Sequence, residues 1–111
     1  MGKKGETRTG EAKSAAEDVV ATLAPLGPVT SRGMFGGYGI FLDGVMFGLV
    51  DRSGTVHLRV DPETRVQFED AGGLPHGKMP YFSVPEAVRA DPKRLCAWAT
   101  EAASVARAAK K

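Results

Sequence analysis

Apolar residues recur at three- and four-residue steps through Ala12, Ala15, Ala16, Val19, Val20 and Leu23. That is the period of one helix face, and it predicts a helix starting at Glu11. Pro25, Gly27 and Pro28 end it. The pattern then changes to strand-like runs separated by short breaks. Val29 to Met34 is the first and weakest run, Tyr38 to Leu42 the second, Val45 to Val50 the third and Thr55 to Val60 the fourth. The pair Asp43-Gly44 between the second and third is a hairpin signal, because both residues tolerate positive φ. In the fourth run Val56, Leu58 and Val60 share one face, and Thr55, His57 and Arg59 share the polar one.

A second helix is predicted from "VDPETRVQFEDAGG". Asp61 caps it, Pro62 occupies its first turn and Gly72-Gly73 stops it. Leu74 to Pro80 reads as a loop, Tyr81 to Val84 as a last short strand and Pro85 to Ala90 as a helical turn. Asp91-Pro92 repeats the cap-and-proline start, and the final helix runs to about Ala109, with Leu95, Trp98, Ala102, Val105 and Ala106 on one stripe.

This order places the chain in the α+β class: an antiparallel sheet of four to five strands with an N-terminal, a middle and a C-terminal helix. The short "DG" and "DRSG" links exclude parallel neighbours, which need long crossovers. Residues 1–10 read as a disordered basic tail, and 11–111 as a single domain.

The second and third strands are apolar on both faces. Strict alternation puts Tyr38, Ile40 and Leu42 on one side with Phe41 opposite, then Met46 and Val50 on one side with Phe47 and Leu49 opposite. A sheet exposed on one side alternates apolar and polar, so two-faced apolarity calls for two covers. The second cover is left open between the long loop, a second subunit and a partner.

"RGMFGGYGIF", Arg32 to Phe41, offers Gly33, Gly36, Gly37 and Gly39 as a candidate phosphate cradle. A nucleotide fingerprint requires a helix after the glycines, whereas here Tyr38 to Leu42 continue as a strand. The glycines therefore read as a bend and as room for bulky neighbours such as Phe41 or Phe47. Arg32, Gly33, Met34, Phe35, Gly36, Gly37, Tyr38, Gly39, Phe47, Tyr81 and Trp98 are the structural and interaction candidates.

Charge changes this picture little. The net charge of +2 is concentrated at the ends, in Lys3, Lys4, Arg8, Arg107, Lys110 and Lys111, so any nucleic-acid contact is expected to be weak. One cysteine, Cys96, excludes an internal disulfide and reads as helix-flank packing. His57, His76 and Cys96 match no metal-ligand spacing, no serine sits in a nucleophile elbow, and the carboxylates read as caps, turns and helix surface. No catalytic residue, metal or cofactor is expected. No apolar run approaches a membrane span, and "MGKKGETRTGE" lacks a signal-peptide core, so the expected setting is the cytoplasm.

"RGMFGGYGIFLDGVMFGLV", "VHLRVDPETRVQFEDAG" and "MPYFSVPEAVRADPKRLCAWATEA" resemble the N-terminal domain of the TfoX/Sxy family. The likeness runs from about Ala15 to Ala106 and is most specific in the first block. It implies a secretion-chaperone-like α+β fold in a bacterial protein, standing free of the family's C-terminal domain. The family's named members regulate natural competence with the cyclic-AMP receptor protein, so a transcription-regulatory protein is the implied partner. The expected function is a non-enzymatic protein-interaction module of that regulatory kind, with a homodimer as a further expectation. The alternatives are a small ligand-binding protein or enzyme using a pocket at the glycine bend, and weak DNA association through the basic ends.

Overall fold

The computed structural model describes residues 4–34 and 36–110, without the side chains of residues 4–9 and 110. In chain order the elements are α1 (Lys4–Thr22), a 3-10 turn at Ala24–Leu26, β1 (Val29–Met34), β2 (Gly37–Leu42), β3 (Val45–Val50), β4 (Val56–Arg59), α2 (Thr64–Asp70), β5 (Pro75–His76), β6 (Met79–Ser83), α3 (Glu86–Arg89) and α4 (Pro92–Lys110). The strands form one sheet in the order β1-β2-β3-β4-β6-β5, and every neighbouring pair is antiparallel. The α+β class is as expected, with six strands instead of four to five.

Two elements depart from the sequence reading. Helical backbone begins at Lys4, seven residues ahead of the expected start at Glu11. Residues 4–10 contain no proline to stop a helix, so it extends beyond the apolar stripe that made it legible. Met1–Lys3, the rest of the expected tail, lie outside the described residues. The expected loop Leu74 to Pro80 contains β5 and the start of β6, a small hairpin turning at Gly77, where φ is +60°. A two-residue strand beginning with proline has too short a pattern to be read in advance.

The Asp43-Gly44 turn has φ +53° and +80°, as the hairpin signal required. Asp61 accepts bonds from the backbone N–H groups of Glu63 and Thr64 at 3.0 and 2.8 Å, while Thr64 Oγ1 accepts from Asp61 N at 3.0 Å. The start of α2 is thereby closed in both directions. Asp91 accepts from the N–H groups of Lys93 and Arg94 at 3.1 and 3.3 Å and caps α4. Asp91→Ala is expected to lower the unfolding free energy by about 1 kcal/mol, read from a urea transition.

Among the described residues α1 packs on β1 to β3 and α4 on β3 and β4, and one face of the sheet carries no helix. The helices contribute Ala12, Ala16 and Val19 from α1, with Leu23 just past its end, and Leu95, Ala99, Ala102 and Ala106 from α4. The sheet contributes Ile40, Leu42, Phe47, Val50, Leu58 and Phe82. Small alanines bring α4 close to β3, where Phe47, Ile40 and Val50 supply the bulk. Phe68 of α2 meets Trp98 edge-on at 4.7 Å between ring centroids, which leaves Trp98 half-buried. The Cys96 thiol donates to the Thr22 carbonyl at 3.3 Å, in keeping with a packing role between helices. Among the described residues no helix is long and apolar enough to cross a membrane.

Strict alternation fails on β3, and the failure decides which residues face the core. Ile40 pairs with Gly48 and Phe41 with Met46, so Phe47 is an extra residue between them. Such a bulge turns the following side chains over relative to the pleat. Phe47 and Val50 consequently point into the core, and Met46 and Leu49 share the helix-free face with Gly39 and Phe41. The grouping of Phe47 with Leu49, and of Met46 with Val50, is corrected by this one residue.

Candidate functional site

A cleft of about 360 Å³ lies where the glycine bend meets the helix-free face. Met34, Met46 and Leu49 line it from β1 and β3, the turn Asp51 to Ser53 borders one side, and His76 and Met79 of the β5–β6 hairpin border another. The expected loop is thus one of the covers that two-faced apolarity required. It closes over Leu49, which is buried, but leaves Met34, Phe41 and Met46 half-exposed.

The glycine stretch serves this face. Gly37 is buried because a Cβ there would run into the carbonyl oxygen of Val50 on the neighbouring strand. A Cβ on Gly39 would lie 2.9 Å from the Phe41 ring and 3.0 and 3.1 Å from the sulfurs of Met46 and Met34. The bulky neighbour that Gly39 accommodates is therefore Phe41, while Phe47 lies on the other face. Gly48 instead abuts the His57 carbonyl and the Leu58 side chain. Gly36 is exposed with φ +80°, beside the Arg52 side chain, and Gly33 is exposed on β1. The exposed Arg32 lays its guanidinium 4.6 Å from the centre of the Phe41 ring, a cation–π contact that partly roofs the apolar face.

The remaining interaction candidates divide. Tyr38 is half-buried and packs against the core. Phe47 is fully buried, which assigns it a structural place in the core. Tyr81 is also buried, opposite Arg59, with its hydroxyl donating to the Met46 carbonyl at 3.3 Å. Burial raises the Tyr81 pKa, and Arg59 opposes that shift. Phe35 lies outside the described residues, as do Lys3 and Lys111 of the basic ends.

Sequence spacing concealed one feature of this region. Asp51, His57 and His76 each place one ligand atom within 4.8 Å of the others. The expectation of no metal-binding group rested on spacing along the chain, and the fold brings these three together from separate segments. The β3–β4 turn carries Asp51, β4 carries His57 and β5 carries His76. The imidazoles meet edge-on with centroids 4.7 Å apart. His57 was expected on the polar face; its side chain does leave the core, but the β5–β6 hairpin covers it and it is only 5% exposed.

The carboxylate is held firmly. Asp51 Oδ1 accepts from Ser53 N at 3.0 Å, Ser53 Oγ at 2.8 Å and Thr55 N at 3.0 Å. Burial works to raise the Asp51 pKa, but the bonds from Thr55 and Ser53 prevail and lower it. His57 Nδ1 lies 3.1 Å from the Thr55 carbonyl oxygen. A carbonyl only accepts, so Nδ1 carries the proton and Nε2 keeps its lone pair. Burial, and then the neighbouring His76, lower the His57 pKa against the opposing pull of Asp51 and the Thr55 and Leu49 carbonyls. The arrangement offers two imidazoles and a carboxylate beside an apolar cleft, a set suited to binding a cation or orienting a small ligand.

A family model described as the TfoX N-terminal domain matches residues 21–106. No curated protein matches the chain. The matched span contains the entire sheet, the cleft and the Asp51, His57, His76 group.

Proposed function

The chain belongs to the TfoX N-terminal domain family, and from that premise we propose that it is a non-enzymatic protein-interaction module of a regulatory kind. The observation that carries this reading is the helix-free sheet face, on which Met34, Phe41 and Met46 remain half-exposed beside the cleft. Apolar side chains gathered on one side of a sheet, with Arg32 at their rim, match the usual make-up of a contact surface, an apolar centre with polar surroundings. Methionines suit such a surface because their unbranched chains adapt to a partner's shape. A transcription-regulatory protein is the partner class this reading favours.

The test is affinity capture from the native host, comparing wild type with Met46→Asp and identifying the retained proteins by mass spectrometry. Met46 is half-exposed on the sheet face, so the variant is expected to keep its circular dichroism spectrum while recovery of a reproducible regulatory partner drops at least about tenfold, the size of effect that loss of a central contact produces. Undiminished recovery with a folded variant would exclude this face as the contact.

A second reading draws on the cleft itself. About 360 Å³ is within the range that small-molecule sites occupy, and the lining combines apolar side chains with a carboxylate and a histidine. The same surface then holds a small, largely apolar ligand. Saturation-transfer NMR with a fragment set distinguishes the readings: fragments that bind wild type and fail to bind Met34→Asp favour the ligand.

A further inference from the structure

We propose that Asp51, His57 and His76 form a binding site for a divalent transition-metal ion of the Zn²⁺ class, closed by the β5–β6 hairpin. The inference stands apart from the interaction reading, since it concerns the hairpin side of the cleft and needs no partner.

Geometry comes first. The three ligand atoms already lie within 4.8 Å of one another. Ligands about 2.1 Å from a tetrahedral zinc ion stand about 3.4 Å apart, so binding requires a closing movement on the order of an ångström. His76 is the member able to supply it, being half-buried on a two-residue strand next to the turn at Gly77. The other two are fixed in place by their hydrogen bonds.

Those bonds also present the correct atoms. All three bonds to Asp51 arrive at Oδ1, leaving Oδ2 for a cation. His57 donates its Nδ1 proton to the Thr55 carbonyl, which leaves the lone pair on Nε2 as the donor for a cation. A ligating histidine characteristically has its other ring nitrogen bonded to a backbone carbonyl or carboxylate, an arrangement that sets tautomer and ring orientation before the ion arrives. Thr55 N also bonds Asp51, so residues 51 to 57 form one connected frame behind the ligands.

Donor chemistry selects the metal. Two imidazoles disfavour Mg²⁺ and Ca²⁺, which take oxygen ligands. Two nitrogens with one carboxylate oxygen suit Zn²⁺, Co²⁺ or Ni²⁺ and leave at least one coordination position for water or for a group in the adjacent cleft. An ion here ties β5 to the β3–β4 turn and so holds the hairpin that borders the cleft.

The test is titration of the purified full chain with Zn²⁺ in competition with a chromogenic chelator, alongside Co²⁺ absorption and thermal unfolding. Wild type is expected to bind one equivalent, to show the visible bands of Co²⁺ bound to nitrogen and oxygen, and to unfold at a higher temperature with Zn²⁺ present. His76→Ala, on the half-exposed hairpin, is expected to fold and to bind at least about tenfold more weakly, since loss of even an outer-shell partner costs that much. Asp51→Asn keeps an oxygen acceptor for the turn while removing the charge, and is expected to weaken binding likewise. Ring-nitrogen NMR should show Nε2 of His57 shifting on Zn²⁺ addition. Failure of wild type to bind, or equal binding by wild type and His76→Ala, would overturn the proposal.

Discussion

Phe47→Asp is expected to leave the protein unfolded at 25 °C. Phe47 has no exposed surface and belongs to the core cluster beneath α4. Truncating such a ring to alanine already costs about 3–5 kcal/mol. Aspartate adds the cost of burying a carboxylate with no partner, several kcal/mol more unless it takes up a proton. Domains of this size are stable by roughly 5–15 kcal/mol, and the combined loss exceeds the margin of a domain in the lower half of that range. Far-ultraviolet circular dichroism should show lost secondary structure, and sedimentation an expanded chain. A folded species of reduced mass would instead make Phe47 an interface residue and refute its assignment to the core.

The contrast with Met46 sharpens this expectation. The two residues are adjacent, yet the bulge sends Phe47 inward and Met46 outward. A charge at 47 should therefore destroy the fold, while a charge at 46 should leave it intact. Similar spectra for the two variants would contradict the opposite facing of these two side chains.

Gly37→Ala is expected to lower the unfolding free energy by about 3 kcal/mol, at the upper end for adding a methyl group to a packed site. The cause is backbone against backbone. The new Cβ would strike the Val50 carbonyl oxygen, and the Asp51 backbone stands only 3.1 Å from the same point. Neither can turn aside without parting β2 from β3. A chain of this length loses roughly 5 °C per kcal/mol, which makes the fall in midpoint about 15 °C. Differential scanning calorimetry reads it directly. Gly39→Ala provides the comparison, because its obstacles are the flexible ends of Met34 and Met46 and the edge of Phe41. Its cost is expected to be about 1 kcal/mol, and an equal loss at both positions would contradict the backbone explanation.

The reason for Gly37 differs from what the glycine run implied. The glycines read as a bend, yet of Gly36 and Gly37 only Gly36 adopts positive φ. Gly37 is required by close approach to Val50 on β3, thirteen residues later. The dipeptide reads as one signal in the sequence and answers two separate demands in the fold.

Local chemistry was legible wherever it acts over a few residues. The Asp43-Gly44 turn, the Asp61 and Asp91 caps and the apolar stripes of α1 and α4 depend on neighbours within one or two turns of chain, so the sequence by itself determined them. It also determined that both faces of the second and third strands needed cover, because apolar residues crowd both sides of that hairpin. Tertiary structure alone decided which residues went where. One inserted residue on β3 reversed the faces of Phe47 and Met46, and the β5–β6 hairpin buried a histidine that alternation had assigned to the polar side. Asp51, His57 and His76 match no ligand spacing because the cluster is made by pairing β4 with β6 and β6 with β5, and the distances that chemistry requires are measured across the sheet rather than along the chain.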